Sequence, residues 1–346
     1  MTDRLRRFAA ALLAAALLTT LSGCSAPARH SRTWYTYFDT VTTVTGYGSE
    51  KEFDAACALA ADVFDTYHRL CDIYHEYGGV NNVCTVNLAA GAAPVEIPAE
   101  LREVLAWGKE VHALTGGMCN IAMGAVLSLW HECREEALNG GPARIPTEDE
   151  LRAAAAHCEI GDVVIDEEAG TVSLADPLLS LDLGAVAKGW AAERAARALE
   201  AAGYTGYALS VGGNVRTVGS KADGTAWIAG VQDPEGESES AYVLRVGLAD
   251  ASLVTSGSYQ RYFEADGKRY HHIISPETLF PRNEFLSVSI LCADSALADA
   301  LSTAVFKMDQ PDGMRFIDGM DGVEACWILA DGTIRFSAGF EKYILP

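Results

Sequence analysis

Basic residues are scarce in this 346-residue chain: 26 Lys and Arg stand against 47 Asp and Glu, a net charge of −21. A surface this acidic repels nucleic-acid phosphates, so nucleic acid is excluded as a partner. An anionic substrate would need local cations or a divalent metal at its site. No apolar run is long enough for a comfortable membrane span. The cysteines form no C-x-x-C pair, which leaves a structural zinc site or a thioredoxin-like centre without support. No repeat, low-complexity tract or linker interrupts residues 35–346. With a hydrophobic content of 49%, these absences point to one packed, interlocked α+β domain with mixed or antiparallel sheets and peripheral helices.

The first residues read as a targeting segment. Arg4, Arg6 and Arg7 precede a short apolar stretch from Phe8 to Leu18, and Leu21-Ser22-Gly23-Cys24 follows. This order resembles a bacterial lipoprotein signal. It implies a signal peptide at 1–23, lipidation of Cys24, a polar tether at 24–34 and a domain at 35–346. The expected location is the extracytoplasmic face of the bacterial cell membrane, held by the lipid.

Helical patterns run over Glu52–Leu70, from Pro98 to Thr115, over Ile121–Leu138, from a Thr147/Glu150 capping box, over Val186–Ala202 ahead of Gly203, and over Ser295–Met308 behind Asp294. Strands are expected within Tyr35–Tyr47 and at Val163–Asp166, Thr171–Leu174, Tyr207–Val211, Trp227–Gln232, Tyr242–Val246, Ser252–Ser256, Arg269–Ile274, Leu286–Cys292, Val323–Leu329 and Thr333–Phe336.

Four stretches carry chemistry. In Leu181-Asp182-Leu183-Gly184-Ala185-Val186-Ala187-Lys188-Gly189-Trp190, Asp182 sits where a helix N-cap would sit. A helix terminus there, with Lys188 in its first turn, favours an anion. Asp299 and Thr303 are spaced i, i+4, so their oxygens share one helix face and suit Mg²⁺. His271 and His272 are adjacent on a strand and point to opposite faces, so they are not expected to grip one ion together. Gly212-Gly213-Asn214 after a strand permits a tight turn or close backbone approach to a ligand. The segment Cys71–Asn82, dense in aromatic and amide groups, is an irregular functional candidate.

Taken in order, these pieces resemble the ApbE family of flavin transferases (FAD:protein FMN transferases). The pieces are Phe38-Asp39-Thr40, the segment 72–87, Gly116-Gly117, 182–189, Val211-Gly212-Gly213-Asn214, Ser256-Gly257-Ser258-Tyr259, 271–278 and 299–304. The resemblance implies transfer of FMN from FAD to a Thr or Ser of another flavoprotein, with release of AMP. It implies Mg²⁺ on Asp299, Thr303 and the Ala185 carbonyl. Asp182 and Lys188 would line the FAD site together with Phe38, Tyr74, Met118, Cys119 and Asn120. His272 would accept the acceptor's proton, with Asp299 the other catalytic residue. The acceptor would carry a D-G-x-[ST]-G-A-[ST]-like segment, such as a membrane redox subunit.

The chain departs from the family pattern at three places. Cys119-Asn120-Ile121-Ala122 stands for F-D-P-T, Ser275 for the aspartate of H-I-I-D-P, and Leu279 for a glycine. Two other readings fit the same residues: an FAD pyrophosphatase giving FMN and AMP, and a non-catalytic FAD-binding lipoprotein.

Overall fold

The computed structural model describes residues 27–236, 238 and 241–346; the expected signal segment and Cys24 lie outside the described residues. In chain order the elements are β1 (Arg29–Tyr37), β2 (Thr40–Tyr47), α1 (Glu50–Cys71), α2 (Val83–Leu88), β3 (Val95–Glu96), α3 (Ala99–Leu114), α4 (Gly124–Leu138) and α5 (Glu148–Ala155). Then come β4 (Val163–Asp166), β5 (Thr171–Leu174), α6 (Ala187–Ala201), β6 (Tyr207–Val211), β7 (Asn214–Val218), β8 (Trp227–Gln232), β9 (Tyr242–Leu248) and β10 (Ser252–Gly257). The chain closes with β11 (Tyr262–Ala265), β12 (Lys268–His271), β13 (Phe285–Cys292), α7 (Ser295–Lys307), α8 (Gln310–Asp318), β14 (Glu324–Leu329) and β15 (Ile334–Phe336).

One eight-stranded sheet, ordered β1-β2-β6-β7-β10-β13-β14-β15, forms the frame. Smaller sheets pair β11 with β12, β8 with β9, and β3-β5-β4. Every pairing between these strands is antiparallel. The architecture is therefore α+β, as expected. The helices α6 and α7 are enclosed rather than peripheral. Alanines at 191, 192, 195 and 196 are fully buried on α6, and α7 buries Ala298, Ala300, Leu301, Ala304, Val305 and Phe306. Small side chains let these two helices pack closely between the sheet and their neighbours.

The first strand begins at Arg29, inside the stretch expected to be a polar tether. Its polar side chains are satisfied across the ladder. The Ser31–Thr45 and Thr33–Thr43 hydroxyl pairs stand at 3.2 and 3.0 Å, and Arg32 pairs with Asp54. The expected helix at Ile121 starts only at Gly124, because residues 121–124 bond instead to 180–182: Asp182 N–H reaches the Ile121 carbonyl and Gly124 N–H the Ser180 carbonyl. The eight described cysteines outside the signal are all free thiols.

Candidate active site

The site is built where the start of α6 crosses α7. A Cβ on Gly189 would lie 2.3 Å from the Asp299 Cβ and 2.4 Å from the Ser295 carbonyl, so only glycine permits this approach. The approach lets Gly189 N–H donate to Asp299 Oδ2 at 2.7 Å. A buried ion pair fixes the crossing: Arg216 of β7 donates to Glu193 of α6 at 2.9 Å, and Glu193 also accepts from Ser295 N–H at the head of α7. Asp294 caps that head through Leu297 N–H, as the sequence predicted.

The Gly189 bond has a second effect. In an uninterrupted helix its N–H would bond to the Ala185 carbonyl. Here that donor is taken by Asp299, and no hydrogen bond among the described residues uses the Ala185 carbonyl. Thr303, one turn beyond Asp299, stands 3.3 Å from the Ser256 hydroxyl of β10, which also braces Ser302 at 2.8 Å. Asp299 is buried, and burial raises its pKa against the pull of Lys188, the Gly189 N–H and the Asn214 amide. Asn214 Nδ2 faces the carboxylate without completing a hydrogen bond and is buried with no partner. A buried carboxylate, a hydroxyl and an unused carbonyl form a donor set that fits a hard cation such as Mg²⁺. No group of three or more His, Cys, Asp or Glu suited to a metal occurs among the described residues. Such an ion would therefore draw its remaining oxygens from water and substrate.

Asp182 does not cap α6. Its Oδ1 accepts from Gly184 N–H at 2.7 Å, and the helix begins at Ala187 behind Val186, which makes no side-chain cap. The turn at 183–187 winds on the Leu183 carbonyl before the helix starts, so the carboxylate is used to close that turn. Lys188 lies in the first helical turn as expected and reaches the Gly184 carbonyl at 3.2 Å.

The two histidines separate, but not by strand alternation: β12 ends at His271, short of the strand expected over Arg269–Ile274, and His272 lies beyond it. His271 is buried: its Nε2–H donates to the Arg282 carbonyl at 2.9 Å, and its Nδ1 accepts from Ile273 N–H at 3.2 Å. Desolvation pushes its pKa down to about 4. His272 lies just past β12 on the open face. Its Nδ1–H and its backbone N–H both donate to the Arg261 carbonyl, at 3.2 and 3.1 Å. Nε2 is thus the nitrogen that keeps its lone pair. The ring presents surface to solvent yet is crowded by protein on its other sides. Desolvation, followed by the charges of Arg261, His271 and Lys188, pushes its pKa down to about 3. The Lys188 charge bears on Asp299 as well.

The remaining expected contacts surround this centre. Phe38 and Asp39 form the β1–β2 turn with φ of 55 and 49°, a left-handed pair unusual for these residues. Phe38 N–H is held on His68 Nδ1 at 3.2 Å. The matching β6–β7 turn is Gly212-Gly213, where a Cβ on Gly212 would come within 2.7 Å of the Thr40 hydroxyl. The paired glycines thus form a tight turn. Tyr74 is 57% exposed and its ring lies tilted beside that of His131. Asp182, Arg134, Arg261 and Asp39 all bear on its hydroxyl. The Tyr74 loop is held by Asp72, which accepts from Tyr74 and His75 N–H, the His75 ring and the Tyr77 hydroxyl. Burial alone would raise the Asp72 pKa; those donors outweigh it and the net shift is downward.

Met118 and Cys119 adjoin the cluster, whereas the Asn120 amide turns away: it donates to the Cys158 carbonyl and accepts from Ala122 N–H. Burial pushes the Cys119 thiol up to about 11, which removes it as a neutral-pH nucleophile. Ser275 is buried and its hydroxyl accepts from Glu277 N–H, a turn contact. Leu279 adopts a φ of 62°, the left-handed conformation that favours glycine; Trp130 Nε1–H holds its carbonyl at 3.0 Å. Lys307, absent from the expected set, is buried on the same stripe of α7 as Asp299 and Thr303 and donates to the Met118 carbonyl at 3.1 Å. Its i+4, i+8 spacing was a readable signal.

Comparisons with known proteins give the family and the fold. The ApbE family model matches residues 38–327. An FAD:protein FMN transferase of Treponema pallidum is 35% identical over 271 residues, covering 74% of this chain and 73% of the relative. One from Vibrio cholerae is 28% identical over 333 residues, covering 96% of each chain. The crystal structure of the ApbE protein from Thermotoga maritima superposes with a TM-score of 0.81 at 26% identity, covering 92% of this chain and all of that one. The family model spans most of the chain, and the Treponema relative is matched over 73% of its length: this protein belongs to the ApbE family.

Proposed function

We propose that this protein is an FAD:protein FMN transferase. It moves FMN from FAD to a Ser or Thr hydroxyl of a partner flavoprotein and releases AMP. The observation that carries this reading is an exposed imidazole whose Nδ1–H is committed to the Arg261 carbonyl, on a protein that also holds the Asp299–Thr303–Ala185 oxygen set, with the Lys188 charge bearing on both His272 and Asp299. The activity of its relatives supports it.

In this reading the acceptor hydroxyl oxygen attacks the phosphorus that carries riboflavin. The bond from that phosphorus to the bridging oxygen breaks, and AMP leaves with the electron pair. His272 Nε2 takes the hydroxyl proton as the new P–O bond forms. Lys188 supplies fixed positive charge to an anionic substrate on an otherwise acidic protein. Asp299, Thr303 and the Ala185 carbonyl would hold Mg²⁺, which when bound neutralises charge on the phosphates and the leaving group. Tyr74 offers an exposed ring for stacking on a flavin or adenine plane. The lipid anchor at Cys24 belongs to the same proposal, on the strength of residues 4–24. A diacylated Cys24 start in the intact mass of membrane-purified protein would support it.

The test is incubation with FAD, Mg²⁺ and an acceptor carrying a D-G-x-[ST]-G-A-[ST]-like segment. The intact mass of the acceptor should rise by one FMN residue. Free FMN and AMP with an unmodified acceptor would replace the proposal with a pyrophosphatase; neither product would leave an FAD-binding lipoprotein.

A further inference from the structure

We propose that Arg261 is the positioning residue for His272: its carbonyl fixes which ring nitrogen carries the proton, and its guanidinium, braced on Asp39, holds a positive charge beside the ring. The inference rests on the transferase reading for its consequence, though not for its geometry.

Two hydrogen bonds run from His272 to one carbonyl, that of Arg261: the backbone N–H at 3.1 Å and Nδ1–H at 3.2 Å. One acceptor therefore sets both the position of the residue and the tautomer of its ring. The Arg261 guanidinium then crosses to the β1–β2 turn and donates to the Asp39 carbonyl at 3.5 Å, joining residues 222 apart in sequence. That turn is the left-handed Phe38–Asp39 pair, itself tied to His68. The arginine thus spans from the segment leading into β11 to the turn at the far end of the main sheet. Arg261 is exposed, so its charge is not required for burial or folding.

The charge has a direction of effect. Arg261, His271 of β12 and Lys188 of α6 are the charged and titratable groups that bear on the His272 ring. The charge of each disfavours the imidazolium, as does the crowding of the ring by protein, while the Arg261 carbonyl that accepts from Nδ1–H favours it. A base must be unprotonated before it can accept a proton. Arg261 therefore keeps Nε2 available on the acid side of neutrality, and taking its charge away makes the ring easier to protonate.

The experiment is a nitrogen-shift titration of His272 in the full chain without flavin, assigned by its loss in His272→Asn. It compares the parent with Arg261→Lys, Arg261→Met and Arg261→Glu. The midpoint should climb from parent to Met to Glu, on the order of one pH unit for each unit of charge removed. Lys should stay near the parent, and Nδ1 should remain the protonated nitrogen throughout. The acid limb of the transfer rate at saturating FAD should move in the same order, with rates converging at high pH. An unchanged His272 midpoint across the series, or a ring protonated on Nε2, overturns the inference. So does a KM for FAD that rises equally at every pH while the midpoint stays fixed, since that describes a substrate contact. The titration needs no transfer, so a parent that never flavinylates an acceptor would defeat the proposed activity and leave this result readable.

Discussion

His271 and His272 are neighbours in sequence with opposite employment. Both ring nitrogens of His271 are bonded inside the protein, one as donor to Arg282 and one as acceptor from Ile273. His272 has one ring nitrogen bonded to the Arg261 carbonyl, and no hydrogen bond among the described residues uses the other. Burial pushes both pKa values down, to about 4 and about 3, so a low pKa by itself does not mark the catalytic member. What distinguishes them is the free lone pair and the company it keeps. One side of the strand end holds the hairpin to the core, and the other side is available for chemistry.

The comparison is sharpest where a variant separates the base from the metal. Asp299→Asn keeps the shape of the side chain and removes the only carboxylate of the oxygen cluster. Transfer should fall by at least about a thousandfold at low Mg²⁺, since charge neutralisation at the phosphates goes with the ion. Thr303→Val should lose less and recover with excess Mg²⁺, because a neutral hydroxyl is the weaker ligand. His272→Asn should lose about a hundred- to ten-thousandfold, the usual worth of a general base, with the Mg²⁺ dependence unchanged. Initial flavinylation rates against Mg²⁺ concentration read all three. A His272→Asn enzyme with an altered Mg²⁺ midpoint would place that ring among the ligands and erase the distinction.

On the structural side, His271→Ala strands the Arg282 carbonyl and the Ile273 N–H, and should lower stability by about 2–4 kcal/mol in chemical denaturation. The pH dependence follows from the direction of the shift. The unfolded chain takes up a proton on His271 near the ordinary histidine value, while the folded chain resists until about pH 4. Its stabilising contribution is therefore complete above about pH 6.5 and is lost as pH falls toward 4. That contribution is on the order of 3 kcal/mol. His271→Gln should flatten this part of the stability profile. The smallest effect belongs to Leu279→Gly. Relief of a left-handed backbone, worth about 1 kcal/mol, offsets the loss of a half-buried side chain, so denaturation midpoints should barely move.

Much of this was legible because it is local. The Asp294 cap, the i, i+4 pair on α7 and the Thr147–Glu150 capping box depend on residues within a turn of each other. The opposed histidines were expected from strand alternation, yet β12 stops at His271 and His272 is placed by its bonds to the Arg261 carbonyl. The misread or unread parts depend on distant partners. Asp182 was expected to cap a helix because its spacing suits that role; the carbonyl of Leu183 winds an extra turn first. Gly189 is demanded by Asp299, 110 residues away, and Lys307 by the Met118 carbonyl, 189 away. Strand β7 escaped recognition because Arg216 looks like a surface charge until Glu193 and Glu200 are seen to pair with it. The short helix α2 went unread directly after the irregular Tyr74 segment, and α8 behind Pro311 and Gly313. The β11–β12 hairpin did carry a local sign, Asp266-Gly267, whose φ values of 49 and 72° suit a tight hairpin turn.

The most direct measurement is single-turnover transfer from FAD to an acceptor protein, read by acceptor intact mass, for the parent, His271→Gln and His272→Asn at equal folded concentration and saturating Mg²⁺. The parent and His271→Gln should add one FMN residue at rates within a few-fold of each other, while His272→Asn should be slower by about a hundredfold or more. Equal rates for the parent and His272→Asn, or a loss confined to His271→Gln, would contradict the assignment of the base and the mechanism built on it.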